Sequence, residues 1–267
     1  MSNQTRTSCL TPSVLLLFVF IATVAADDSI EEMIEQATKA GENGQHDNAV
    51  RLASAVIAKD PSSATAYYVR GRERFRLGQA RESVADFDKY IELKPEVAAR
   101  QWERGIACFY ADMYEQGAKQ FESYQKFDGH DVENSVWRYL CLVPGIGVQS
   151  ARATMLPIEN DRRIPMMQIY DLYRGKLQPD AVLAAARADQ PDENMLEARL
   201  FYANLYIGLW YEAQGDQAQA RRFIESASNE RLKNNRQLNR YMWDVARIHK
   251  LLRARLGGGQ KNLTEGR

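Results

Sequence analysis

The sequence predicts an all-α solenoid of helical hairpins, about six helix pairs closed by a C-terminal capping helix. Three observations carry this. The chain matches itself at a shift of 34 residues, so that Gly44 falls on Gly78, Pro61 on Pro95, Gly71 on Gly105, Phe87 on Phe121 and Tyr90 on Tyr124. Between those anchors, apolar residues recur three and four apart, the period of a helix with one buried face. Glycine and proline interrupt that period at fixed places, with Gly78-Gln79 at the middle of a unit and Pro95 at its end. The unit is therefore helix, short turn, helix, proline-marked turn.

The first 26 residues read as a targeting segment rather than as fold. Arg6 is their one charge, an apolar run follows from Val14 to Ala22, and small residues Thr23-Val24-Ala25-Ala26 precede Asp27 and Asp28. This is the order of a secretory signal peptide, with cleavage expected after Ala26. The run is short for a membrane span, and nothing downstream is long and apolar enough to make one. The acids at Asp27, Asp28, Glu31 and Glu32 suit the positive end of the first helix dipole.

The solenoid is expected over residues 27–256. Residues 64–97 carry the unit most clearly, with Tyr67, Gly71, Gly78, Ser83, Phe87, Tyr90 and Pro95. Small Gly71 and Ser83 would let the paired helices approach, and Phe87 and Tyr90 would fill the space toward the next unit. Residues 30–63, 98–131 and 201–234 repeat the pattern. Residues 134–198 are degenerate but in phase. Trp137 to Cys141 opens a helix that Pro144-Gly145 is expected to cut short, a short helix follows near Val148–Met155, and Pro165 and Pro179 each start another. Residues 236–256 form a closing helix with Leu238, Tyr241, Met242, Val245, Ile248 and Leu252 along one stripe, and 257–267 a flexible tail opened by three glycines.

Composition excludes several functions. Lys plus Arg and Asp plus Glu are equal at 35 each, so there is no basic footprint of a nucleic-acid binder. His46, His130 and His249 fall in different units, with no ligand spacing for a metal. Gly145-Ile146-Gly147 is a turn fragment rather than a phosphate loop. No nucleophile elbow is present and no cofactor motif stands out, so the chain is expected not to be an enzyme. Cys108 and Cys141 are too few for a disulfide framework. They either pair in an oxidising compartment or fill core as small apolar side chains.

The anchors of residues 64–97 resemble the tetratricopeptide repeat: an aromatic, a glycine four residues on, a small residue before an aromatic, and a closing proline. The resemblance implies a concave groove lined by the first helix of each unit. It places Thr65, Tyr68, Arg72, Phe75 and Arg76 there in the second unit, and Ala99, Trp102, Ile106, Phe109 and Tyr110 in the third. In the last clear unit the positions are Tyr202, Leu205, Leu209, Glu212 and Ala213. Tyr68, Arg72, Phe75, Arg76, Trp102, Phe109, Tyr110 and Tyr202 are thus the candidate protein-binding residues, since aromatics and arginine dominate binding hot spots. The competing expectation is that a tightly wound array turns Trp102, Ile106 and Phe109 into core.

The irregular parts, Trp137-Arg138-Tyr139-Leu140, Tyr170 with Tyr173 and Gly175, Phe201-Tyr202 with Gly208, Tyr211 and Gly215-Asp216, and Arg240-Tyr241, resemble the bacterial envelope scaffolds of the new lipoprotein I type. That implies an exported adaptor in the periplasm or cell envelope, partnered by a cell-wall hydrolase or a protease. The lipid-accepting cysteine of that family is missing here. A self-associating solenoid, forming a homodimer without peptide ligand, is the alternative of a different class, and an enzyme with an unrecognised site a third.

Overall fold

A computed structural model describes residues 29–264, which contain helices and no strand; the leader expected over residues 1–26 lies outside them. Helices pack in consecutive antiparallel neighbours. The first hairpins are α1 (Ile30–Glu42) with α2 (His46–Lys59), α3 (Ala64–Arg76) with α4 (Ala80–Leu93), and α5 (Trp102–Tyr110) with α6 (Tyr114–Gln125). Then follow α7 (Val132–Ala153), α8 (Met166–Tyr173), α9 (Pro179–Ala186), the hairpin of α10 (Glu193–Ala213) and α11 (Gln217–Ala227), and α12 (Arg240–Thr264). Short 3-10 turns occupy Pro95–Arg100 and Glu230–Asn234.

The repeated anchors do the jobs their chemistry dictates. Ser29 starts α1 with a capping box, accepting from the Glu32 amide at 3.2 Å while Glu32 accepts from the Ser29 amide at 2.9 Å. Gly44, Gly78 and Gly215 turn their hairpins with φ of 77°, 78° and 86°, which a Cβ would strain. At Gly71 the two helices touch closely enough for Ser83 Oγ to donate to the Gly71 carbonyl at 2.7 Å. At Gly105 a Cβ would stand 2.6 Å from the ring of buried Phe121.

A polar rung repeats with the same period and joins each unit to its neighbours. Arg70, Arg104 and Arg138 stand 34 residues apart. Arg70 bonds Ser54 behind it and Asp86 ahead. Arg104 bonds Asp88 and Gln120, and Arg138 bonds Glu122 and the Thr154 carbonyl. In each case the partners lie 16 residues before and 16 after the arginine.

Two expected helix bounds differ in the structure, and a third helix starts ahead of its repeat signal. Pro144 does not end its helix. Helical backbone continues past it and breaks at Gly147, whose φ of 76° and ψ of 163° only glycine adopts without strain. Proline removes one hydrogen bond but its φ is already helical, so the sharp turn waits for the glycine. α10 begins at Glu193, eight residues before the repeat signal at Phe201, because Asp192 caps it by accepting from the Met195 amide at 2.8 Å. α12 begins at Arg240 rather than 236, and its backbone runs on through Gly257 to Thr264, since each added residue of a started helix gains a bond.

One core of buried side chains runs from Phe75 to Ile248, through Phe87, Ile106, Phe121, Trp137, Tyr173, Phe201 and Tyr206. Smaller clusters around Val56 and Ala53 hold the first hairpin. Cys108 and Cys141 belong to the main core as free thiols, so the pairing left open by the sequence is not made. Burial pushes the Cys108 thiol up to about 11 and Cys141 higher still. No helix among the described residues is long and apolar enough to cross a membrane, and no group of side chains there is placed to hold a metal ion.

Candidate functional site

The groove positions of units two and three do converge, and the last helix lies on them. α12 packs against α3 and α11. Tyr241 stacks on Phe75 with ring centres 5.2 Å apart and meets Trp102 edge-on at 5.3 Å. The Arg72 guanidinium sits over the Tyr241 ring at 5.3 Å and reaches Glu103 at 3.0 Å. Phe75, Phe109 and Tyr241 are buried, while Tyr68, Trp102 and Tyr110 are half-buried.

Arg76, expected at the ligand surface, is instead 8% exposed. Its Nε lies 2.8 Å from Asp244 of α12, and it also bonds Glu73. The physical reason is that the closing helix brings its own carboxylate, so a buried arginine is paired and satisfied. Glu73 also accepts from His46 at 2.7 Å, and although burial opposes it, His46 and Arg76 hold its carboxyl below the usual range. Further along α12, His249 lies 2.7 Å from Glu212 through Nε2 and 3.0 Å from the Tyr110 hydroxyl through Nδ1. Most of the predicted groove is thus filled by the chain itself. Of the predicted residues, Tyr68 packs on Phe87 and Tyr90, and Tyr202 of α10 reaches the acidic end of the site, where burial, together with the charge of Glu133, raises its hydroxyl well above the usual range while the Asn239 backbone and Arg163 oppose this.

The concave side stays open at the start of α12. A cleft of about 190 Å³ is lined by Trp102 and Ile106 of α5, Phe121 and Tyr124 of α6, and Asp131, Glu133, Asn134 and Trp137 at the start of α7. Arg163 of the loop before α8 and Asn239 and Met242 at the start of α12 complete it. Trp102 and Ile106 are the predicted groove positions that line it.

The chemistry of this cleft is acidic. Asp131 caps α7 by accepting from the Glu133 amide at 3.0 Å. Arg163 spans the carboxylates, with contacts of 2.6 Å to Asp131, 2.6 Å to Glu133 and 2.5 Å to Asp161. Tyr206 donates to Glu133 at 2.5 Å and accepts from the Trp137 indole at 3.2 Å, which fixes the glutamate from behind. Burial, followed by the charge of Glu133, pushes the Asp131 carboxyl up to about 6 against the opposing pull of Arg163. Burial and the same carboxylates raise Tyr124 to about 12. Asn134 is 2% exposed. Its amide nitrogen donates to Gln125 at 2.8 Å. Gln125 spends its own nitrogen on the Gly129 and Pro157 carbonyls, so its oxygen must accept and the Asn134 orientation is fixed. Asn134 Oδ1 is left buried without a partner.

Sequence reasoning missed Tyr124, Asp131, Glu133, Asn134 and Arg163 as a group. The available signal was Asp128, Asp131 and Glu133 clustered around Gly129 with no lysine or arginine between them; the arginine that answers them comes 30 residues after Glu133.

No family model matches the chain. Over 50 residues, 19% of its length, it is 42% identical to the human mitochondrial import receptor subunit TOM70. The match covers 8% of that relative's length. The consecutive helical hairpins and this local likeness agree with a tetratricopeptide-type array.

Proposed function

We propose that this chain is an exported adaptor that binds another protein through the cleft between α5, α6, α7 and the start of α12. The observation that carries the reading is the division of the concave face. The closing helix fills the groove over units two and three with stacked rings and paired charges, while the cleft beside it keeps aromatic walls, carboxylates and an unsatisfied buried acceptor. Such a mixture of rigid aromatics and desolvated charge is how small areas become binding hot spots. The local likeness to an import receptor subunit supports a protein-binding role. The leader-like first 26 residues support export, and the resemblance of the irregular units to envelope scaffolds supports a cell-wall hydrolase or protease as partner.

Photo-crosslinking tests this. A photoreactive residue replacing Tyr124 at the cleft is compared with one replacing exposed Arg81 on α4, each in the host envelope. The adaptor reading expects an adduct with a different polypeptide from position 124 and none from 81. Adducts of two copies of the chain would favour the self-associating solenoid instead, and no adduct from 124 would count against the reading.

A further inference from the structure

We infer that the cleft at the start of α7 is a receptor for a basic side chain, arginine before lysine, presented by the partner polypeptide. The inference deepens the adaptor reading and rests on it for the source of that side chain.

The charge balance comes first. Three carboxylates, Asp131, Glu133 and Asp161, meet around one bonded guanidinium, that of Arg163. Three negative charges against one positive leave an excess of two on a half-enclosed surface, where an added cation is attracted more strongly than in open water. Arg163 is spread across all three carboxylates from the solvent side, with its side chain 48% exposed. It leaves Asp131 with a second oxygen that carries no protein hydrogen bond, since the contacts to Glu133 N and Arg163 both fall on Oδ1.

Asn134 is an independent observation pointing the same way. Leaving a buried acceptor unmade costs ~1–3 kcal/mol; Asn134 is among the residues around the cleft, and its orientation is fixed by Gln125. What it lacks is a donor. The groups around it, carboxylates and aromatic rings, also call for a donor that is positively charged rather than neutral.

The walls select among cations. Partly exposed Trp102 and Tyr124 line the cavity with buried Trp137 behind them, and indole is the best aromatic partner of a cation. A hydrated metal ion would not use them. A guanidinium would, because it stacks on a ring while its edge meets carboxylate oxygens in the plane. A cavity of about 190 Å³ admits one side chain and not a helix.

The test uses the full mature chain, titrated with Nα-acetyl-arginine methylamide and with the citrulline analogue, which has the same shape without the charge. Binding is followed by calorimetry and by tryptophan fluorescence. A fragment of this size is expected to bind at about millimolar affinity, with citrulline weaker by ~10-fold or more and the lysine amide between them. Asp131→Asn keeps the helix cap, because asparagine caps as well as aspartate, and is expected to weaken the arginine amide ~5- to 10-fold. Arg163→Gln removes the resident cation and is expected to strengthen it several-fold, an effect that damage to the fold would not produce. Equal binding of arginine and citrulline, or an Asp131→Asn variant that is folded and binds as the parent does, overturns the inference. The two readings fail separately. A crosslinked partner with no arginine-amide binding would leave an adaptor whose cleft has a different chemistry. Amide binding with no partner would leave the pocket and remove the adaptor.

Discussion

Asp244→Asn should cost the protein ~2–3 kcal/mol. Asp244 is 1% exposed and sits in α12, and its Oδ2 is 2.8 Å from Nε of Arg76, 168 residues earlier in the chain. Breaking a buried ion pair by neutralising one partner costs ~3–5 kcal/mol, because the other charge stays buried. Two features reduce that here. Arg76 keeps Glu73 as a second partner, and an asparagine oxygen can still accept from Nε. Arg240 and Arg247, at 3.9 and 3.8 Å from Asp244 and partly exposed, add little. The loss is a large share of the ~5–15 kcal/mol that keeps such a domain folded. Urea denaturation followed by far-ultraviolet circular dichroism measures it, and a cycle with Arg76→Gln isolates the pair. The expected coupling is ~2 kcal/mol. A loss below ~0.5 kcal/mol, or fully additive single variants, would refute the argument that this contact fastens α12 into the groove.

Other consequences follow from the same packing. Gly105→Ala should destabilise by ~2–3 kcal/mol in a melting experiment, since its Cβ would stand 2.6 Å from the Phe121 ring, which is buried and has nowhere to go. Gly145→Ala, where a Cβ meets nothing within 4 Å inside a helix, should instead stabilise by ~0.5–1 kcal/mol. Asp131 should make the protein more stable as pH falls from 7.5 to 5. Its folded carboxyl titrates at about 6, above the unfolded value near 3.9, so the folded state binds the proton first and gains ~1 kcal/mol over that range. Glu73 and Glu212 are held low and act oppositely, their contribution being lost only as pH falls below the unfolded glutamate range near 4.3. The Asp131 part is read as the difference between parent and Asp131→Asn, in which histidine titration cancels. Identical pH slopes for the two would contradict it.

The hairpin array was legible because its constraints are local or strictly periodic. Gly71, Gly105 and Gly208 each admit a side chain of the next helix, Phe87, Phe121 and Ile224, and those pairs recur at a fixed offset that one sequence can display. The Arg70, Arg104 and Arg138 rung was equally periodic, yet its partners vary from Ser54 to Asp88 to Glu122, so the shared role is visible only in three dimensions. The degenerate middle misled because Pro144 and Gly147 lie three residues apart and only the backbone decides which one turns. The occupied groove was hidden for a different reason. Arg72 and Phe75 carry the chemistry of a binding surface whether the ring laid on them belongs to a partner or to Tyr241 of the same chain. The cleft combines residues from α5 to α12 with a loop arginine, and nothing in the sequence announces that Asp131, Glu133 and Arg163 meet.

The central claim is that the closing helix permanently occupies the groove and leaves recognition to the cleft beside it. Native-state hydrogen exchange on the full chain, without any partner, tests this at the amides of residues 241–249. The account predicts protection equal to that of α5 and α7, with opening only when the whole array unfolds. Exchange several kcal/mol easier than in α5, while α3 stays protected, would mean that α12 leaves the groove readily and that the groove itself is free to bind.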